Sequence, residues 1–204
     1  MKLAFCGTSS VGKTTLAKRV AELLGLPVLL DKDLHRQVFD LMAAQGHPVS
    51  TEYFPGMTRQ EHVDFERHVW FCRQNALRNL GEDWVTDESP IDFINWFYII
   101  CGPYPEHMSA DEFRFFKNCF LQELPAYDRV IYLPVGVLPI ENDNRRFTNT
   151  VSLEFWDNAI RGLLFKLSDT LGERLITMPR EVLSVEDRAA LVVGSVSVLE
   201  KKSV

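Results

Sequence analysis

Eight residues near the start of the chain, Gly7-Thr8-Ser9-Ser10-Val11-Gly12-Lys13-Thr14, carry the spacing GxxxxGK[ST]. The chemistry this spacing supports is the cradling of a triphosphate. The two glycines let the backbone wrap an anion with its N–H groups. A helix beginning near Lys13 points its positive dipole end at the same charge. Lys13 supplies a mobile cation for the β- and γ-phosphates, and Thr14 a hydroxyl for Mg2+. Gly7, Ser9, Ser10, Val11, Gly12, Lys13, Thr14 and Thr15 are therefore the expected nucleotide-binding residues. The bland alternative is a chance Gly-Lys turn before a helix. A buried strand before the motif and an amphipathic helix after it argue against that.

A phosphate loop is common to kinases, GTPases, motor ATPases and ligases, so the carboxylates must discriminate. Asp31 with Asp33, and Asp87 with Glu88, each follow a short apolar run. In an open parallel sheet, ligands collect beyond the C-terminal strand ends. Asp87 stands where magnesium is held directly or through water, so Thr14 and Asp87 are the expected metal ligands. Asp33 lies where the hydroxyl of a second substrate could meet the γ-phosphate, which makes it a candidate general base. The plainer use is to cap the helix that follows, and the two uses are compatible. Asp92 is either a substrate contact or a buried polar group bonded to the loop before it.

These residues need a frame that brings them together. Leu3-Ala4-Phe5-Cys6 reads as a buried strand ending at Gly7, and Thr14 to Leu24 as a helix stopped by Gly25. Pro27 to Leu30 is a second buried strand and Asp33 to Ala44 a second helix. Arg59 to Leu80 is a long helix, Asp83 to Thr86 a third strand, and Ile91 to Cys101 its following helix. Arg129 to Leu133 is a fourth strand. Phe155, Ala159, Ile160, Leu163, Leu164, Leu167 and Leu171 mark an amphipathic helix, Arg174 to Thr177 a fifth strand, and a closing helix starts at Ser184. Strand–helix alternation of this kind predicts a doubly wound α/β fold with a parallel five-stranded sheet.

At Asp87-Glu88-Ser89-Pro90-Ile91-Asp92 the chain resembles the D-R-S-P-x-D segment of the NadR-like kinases, the family of the ribosylnicotinamide kinase domain. More distantly it is similar to deoxynucleoside and thymidylate kinases. The phosphate loop agrees, and Asp33-Leu34-His35-Arg36 resembles the family's E-x-x-R after strand two. Tyr127 to Pro134 followed by Asn142 to Arg146 resembles its Y-D-x-V-x-x-L-P … D-G-x-R stretch. The match runs in order over about residues 1–172. Asp33 replaces a Glu, Glu88 an Arg and Asn144 a Gly. The resemblance implies strand order 2-3-1-4-5 and transfer of a phosphoryl group from ATP to a nucleoside-like acceptor. That acceptor is a free nucleoside or nucleotide, or a hydroxymethylated base in DNA of the kind phage enzymes modify.

The polar segment 141–149 between an apolar stretch and a helix is the expected lid, with Arg145 or Arg146 stabilising charge on the transferring group. Arg146 matches the family arginine and joins Lys13, Asp33 and Asp87 as the expected catalytic set. The alternative is a solvated loop with two ordinary arginines. Related kinases hold adenine at the turn corresponding to Met178-Pro179-Arg180, which makes Arg180 a further nucleotide contact. On the acceptor side Asp33, Arg36, Asp92, Phe93 and Trp96 are the candidates. Tyr53, Phe54 and Tyr98 are further aromatics that could stack on a base, although aromatics at helical spacing are usually core. Arg59, Arg67, Arg73 and Arg78 on the long helix read as a solvated face in preference to phosphate contacts.

Composition excludes several classes. The chain has 204 residues, 46% apolar and 25% charged, with 14 Phe, 5 Tyr and 4 Trp, enough to build one globular domain and too apolar for a disordered one. Four cysteines without CxxC spacing read as reduced thiols in a cytoplasm-like compartment. The most apolar run, Phe93 to Cys101, is about half of the ~20 residues a membrane span needs. A net charge of −6 weighs against a basic nucleic-acid surface. The expectation is a single-domain cytoplasmic kinase using ATP and Mg2+. An NTP-hydrolysing regulatory or binding module is the alternative.

Overall fold

β1 (Lys2–Cys6) is the strand around which the layers form. Leu3 and Phe5 point into one core, Ala4 and Cys6 into another, and all four are fully buried. Burial on both faces is why this stretch is continuously apolar instead of alternating. In the computed structural model, which describes residues 1–46, 56–101, 108–139 and 149–202, four more strands join it. They are β2 (Val28–Leu29), β3 (Trp84–Thr86), β4 (Arg129–Tyr132) and β5 (Leu175–Thr177). All pairings are parallel and the order is β2-β3-β1-β4-β5, as the family resemblance implies.

One face of the sheet is covered by α1 (Lys13–Leu24) and α8 (Val185–Lys202). Leu16, Val20, Ala189 and Val192 pack there on Leu3, Phe5, Val85 and Ile131. The other face carries α6 (Thr150–Lys166) and α7 (Ser168–Leu171), with Ile160, Leu164 and Leu171 against Ala4, Cys6, Val130 and Tyr132. A third core joins α2 (Asp31–Ala44), α3 (Arg59–Asn79), α4 (Pro90–Cys101) and α5 (Ala110–Glu123) through Phe65, Phe93, Phe97, Phe116 and Phe120. No helix among the described residues is long and apolar enough to cross a membrane.

Three differences from expectation matter for the site. α2 starts at Asp31, two residues before Asp33, with Leu30 at the N-cap, so Asp33 is not the cap. α5 has no expected counterpart, yet Ser109 caps it through the Glu112 N–H, and Phe113, Phe116 and Phe120 share its inner face. Arg73 on α3 lies on no solvated face. It is fully buried, bonded to Glu123 at 2.8 Å and to the Tyr127 hydroxyl at 2.5 Å, and stands 5.2 Å above the Phe93 ring.

Candidate active site

The phosphate loop leaves β1 through Gly7, whose φ of +149° is costly for any residue with a Cβ. A Cβ there would also stand 2.6 Å from the Leu133 carbonyl oxygen, so glycine is required twice over. Gly12 at φ +88° is the N-cap of α1, and Ser10 takes a left-handed φ of 64° although it has a side chain. Strain of this sort persists where the surroundings impose it, and a turn of alternating right- and left-handed residues is the kind of backbone that can form an anion nest. Ser9 and Ser10 are half-buried, Val11 is packed in the core beneath, and Thr15 is exposed on the first turn of α1.

Lys13 folds back over this loop. Its ammonium donates to the carbonyls of Gly7 and Thr8 and lies 3.3 Å from Glu88 Oε1 and 3.4 Å from Asp92 Oδ1. Burial opposes its charge, but the carboxylates of Asp92 and Glu88 outweigh that and hold its pKa above the ordinary lysine value. Asp92 is 2% exposed and bonds inward: its oxygens accept from Gly7 N at 2.9 Å, Ser89 N at 2.9 Å and Ser89 Oγ at 2.6 Å. Its carboxylate thus tethers the start of the phosphate loop to the start of α4.

A second hydrogen-bonded chain crosses the strand ends. The Thr14 hydroxyl donates to Asp87 Oδ2 at 2.6 Å, and Asp87 Oδ1 accepts from the backbone N–H of Asp31 at 2.7 Å. Burial, followed by the nearby Asp31 charge, raises the Asp87 pKa; the bonds from Thr14 and Asp31 N oppose this. Glu88 is pushed well up by burial and by Asp31, with Lys13 pulling the other way. Asp31 turns one oxygen to His35 Nε2 at 2.6 Å, and its Oδ1 is buried with no hydrogen-bond partner among the described residues.

A family model described as an AAA domain matches residues 2–188, nearly the whole chain. The chain belongs to this AAA-domain family. No curated protein sequence matches it. Among solved structures, the fold of this AAA-domain chain is similar to that of a deoxyadenosine kinase from M. mycoides with bound dCTP. That match has a TM-score of 0.66 and 14% identity over 97% of this chain and 100% of the other. It is also similar to NadR in complex with NAD and AMP-PNP, with a TM-score of 0.58 and 14% identity, covering 96% of this chain and 48% of NadR. Shikimate kinase from Acinetobacter baumannii in complex with shikimate gives a TM-score of 0.51 and 19% identity over 98% and 94%. The likeness is one of fold: the doubly wound parallel α/β architecture of the P-loop kinases.

In this AAA-domain chain the remaining candidates are dispersed. Asp33 and Arg36 are exposed on the outer side of α2, while Asp31 faces the strand ends. Phe93 is 1% exposed and stacked on Phe120 at 5.2 Å, so its ring is spent in the third core. Trp96 pairs with Trp156 at 5.3 Å beside Gly7, Thr8 and Ser9, where it lines a narrow cleft. Tyr98 is partly exposed and bonded through its hydroxyl to Lys117. Arg180 is exposed and donates to the Val135 carbonyl at 2.9 Å, across the ends of β4 and β5. Tyr53, Phe54, Arg145 and Arg146 lie outside the described residues, as does the expected lid apart from Asn149, which caps α6.

Four residues at or beside the site drew no sequence expectation. His35 sits one helical turn after Asp31. Glu66 on α3 is 5% exposed, its pKa pushed up to about 8 by burial, with His35 opposing and Asp31 adding to the rise. Arg188 on α8 is buried beside Gly12 and bonded to the Val182 carbonyl at 2.8 Å. Asn95 on α4 lines the cleft with Trp96. Of these, only His35 had a legible signal, its i,i+4 spacing from an acidic residue.

Proposed function

We propose that the protein is a kinase that transfers the γ-phosphoryl group of ATP, with Mg2+, to a hydroxyl of a nucleoside-like acceptor. The observation that carries this reading is the chain of bonds from Thr14 through Asp87 to Asp31, with Lys13 beside it. It joins a hydroxyl placed for phosphate and metal, a carboxylate of magnesium-binding type and a carboxylate whose buried oxygen has no partner among the described residues. A plain NTP-binding module has no need of the last. Kinase neighbours holding nucleotides, among them deoxyadenosine kinase with dCTP, support an acceptor of nucleoside type.

The loop N–H groups and the α1 N-terminus bind the phosphates, and Lys13 shifts from Glu88 and Asp92 toward the γ-phosphate. Thr14 and Asp87 offer two hard oxygen donors 2.6 Å apart, a set that suits Mg2+, which takes few protein oxygens and completes its shell with phosphate and water. When bound, the ion neutralises charge on the transferring group. The acceptor oxygen bonds to the γ-phosphorus as the bond to the β–γ bridging oxygen breaks. ADP leaves, and the acceptor proton passes to Asp31 Oδ1. We assign the base to Asp31 in place of Asp33, because Asp31 faces the strand ends and Asp33 faces solvent. One domain carries the reaction, in the cytoplasm, and the net charge of −6 favours a free acceptor over a base in DNA.

The test follows ADP release from ATP with and without a panel of nucleosides, nucleotides and hydroxymethylated DNA. The expected result is ADP release that rises with one acceptor, and that acceptor recovered with one more phosphate. A rate indifferent to every acceptor would assign the chain to the NTP-hydrolysing regulatory modules.

A further inference from the structure

We infer that His35 is a positioning residue that holds the Asp31 carboxylate so that Oδ1 alone is left for the acceptor hydroxyl, an inference that rests on the kinase reading above. Asp31 and His35 are four residues apart on α2 and therefore share a face of the helix. His35 Nε2 meets Asp31 Oδ2 at 2.6 Å. The main chain of Asp31 is fixed separately, by its N–H bond to Asp87 Oδ1 at 2.7 Å. With the backbone clamped by Asp87, the remaining freedom is rotation of the carboxyl group, a broad two-fold torsion with no strong preference of its own. The imidazole removes that freedom.

The imidazole is itself held. Its ring meets Phe65 edge-on, with centroids 5.1 Å apart and planes at 72°. Phe65 is fully buried in the core between α2 and α3, so the packing of α3 reaches the reacting oxygen through one ring and one hydrogen bond. The benefit of His35 is orientation of the free oxygen, which one bond to the other oxygen fixes. Misplacement of a reacting group by about 1 Å costs on the order of 10²-fold in rate. The effect belongs to turnover of the acceptor, since His35 reaches the Asp31 side chain, whereas Asp31 bonds Asp87 through its main-chain N–H, which the substitutions keep.

The experiment compares wild type, Asp31→Asn, His35→Leu, His35→Gln and Asp31→Asn/His35→Leu, using ATP and the nucleoside with the highest rate in the acceptor screen. Leu keeps the apolar contact with Phe65 and removes the donor. Gln keeps an N–H able to reach four residues back along the helix. Expected are an acceptor kcat lowered roughly 10²-fold in His35→Leu, restored to within about tenfold of wild type in His35→Gln, with ATP affinity unchanged in both. The double variant should be no slower than Asp31→Asn, because the two residues act as one unit. Near-normal kcat in His35→Leu beside an inactive Asp31→Asn would overturn the inference and leave the kinase reading standing. Retained phosphorylation in Asp31→Asn would overturn both the base assignment and the role of His35. If His35→Leu loses its helical circular dichroism, His35→Asn, whose amide is too short to reach Asp31, is set against His35→Gln. Equal kcat in those two would then overturn the inference.

Discussion

Two carboxylates two residues apart on α2 have opposite fates, and the difference is testable by charge removal alone. Asp31→Asn should lower acceptor-dependent turnover by roughly the 10²–10⁴-fold of lost acid–base help, with ATP affinity near wild type. Asp33→Asn, on the exposed first turn, should lose no more than the about 0.3–1 kcal/mol of a charge at a helix N-terminus and none of the turnover. Turnover and urea unfolding on the same preparations separate the two. Lys13 is not the free-standing cation that a phosphate-loop motif suggests, since it is paired with both Glu88 and Asp92. Lys13→Ala should therefore abolish phosphoryl transfer and also lower the urea midpoint, because two buried carboxylates lose their counter-charge. Lys13→Ala/Glu88→Gln should recover stability without recovering activity. If Lys13→Ala unfolds at the wild-type midpoint, the ion pairs are not stabilising.

At the scale of elements, the third core decides how α3, α4 and α5 stand over the strand ends. Arg73 ties them: from α3 it reaches Glu123 at the end of α5, Tyr127 before β4 and the face of Phe93 on α4. Arg73→Ala takes the cation from the Glu123 carboxylate, which keeps only its neutral donors Tyr127 and Gln74, and should cost about 3–5 kcal/mol. Arg73→Leu/Glu123→Leu, which removes both charges and keeps apolar volume, should be closer to wild type. Urea unfolding measures both, and a wild-type midpoint for Arg73→Ala would contradict the packing described. The helical pattern of α3 was legible in the sequence, but the burial of Arg73 was not. An arginine reads as surface until a second helix supplies the carboxylate that makes its burial tolerable. Phe155 shows the reverse: it fits the inner stripe of α6 by spacing, yet it is 62% exposed while Trp156 turns in toward Trp96.

At the scale of the whole molecule, Glu66 joins Asp87 and Glu88 as a buried carboxyl that makes stability depend on pH. Its folded pKa of about 8 lies above its ordinary 4.5, so the protonated form is favoured in the native state. The stability this contributes is fully present below pH 4.5 and is lost as pH rises to about 8, at up to about 1.4 kcal/mol per pH unit. Glu66→Gln has no proton to lose. Its stability should fall less than that of wild type between pH 5 and pH 8, as measured by urea unfolding at several pH values. Parallel pH profiles would mean that Glu66 is hydrated and titrates normally.

Short-range pattern was enough to locate the Gly-x4-Gly-Lys-Thr loop, the apolar strand before it, the helix after it, and a carboxylate at the end of β3. Each follows from short-range rules, since a glycine at positive φ, a strand buried on both faces and a helix N-terminus leave marks within a few residues. The family resemblance added the strand order, which local pattern does not contain. Which acids face the strand ends was settled by contacts between distant segments. Starting α2 two residues earlier rotates Asp31 inward and Asp33 outward, a turn of about 200° at 3.6 residues per turn. That start is set by the Asp31 N–H finding Asp87, 56 residues away, and the Asp31 side chain by the ring of His35 packed on α3. A hydrogen bond between distant residues has no periodicity in the chain, so the orientation of the Asp31–His35 pair and the Lys13–Glu88 pair became visible only once β2, β3 and β1 lay side by side.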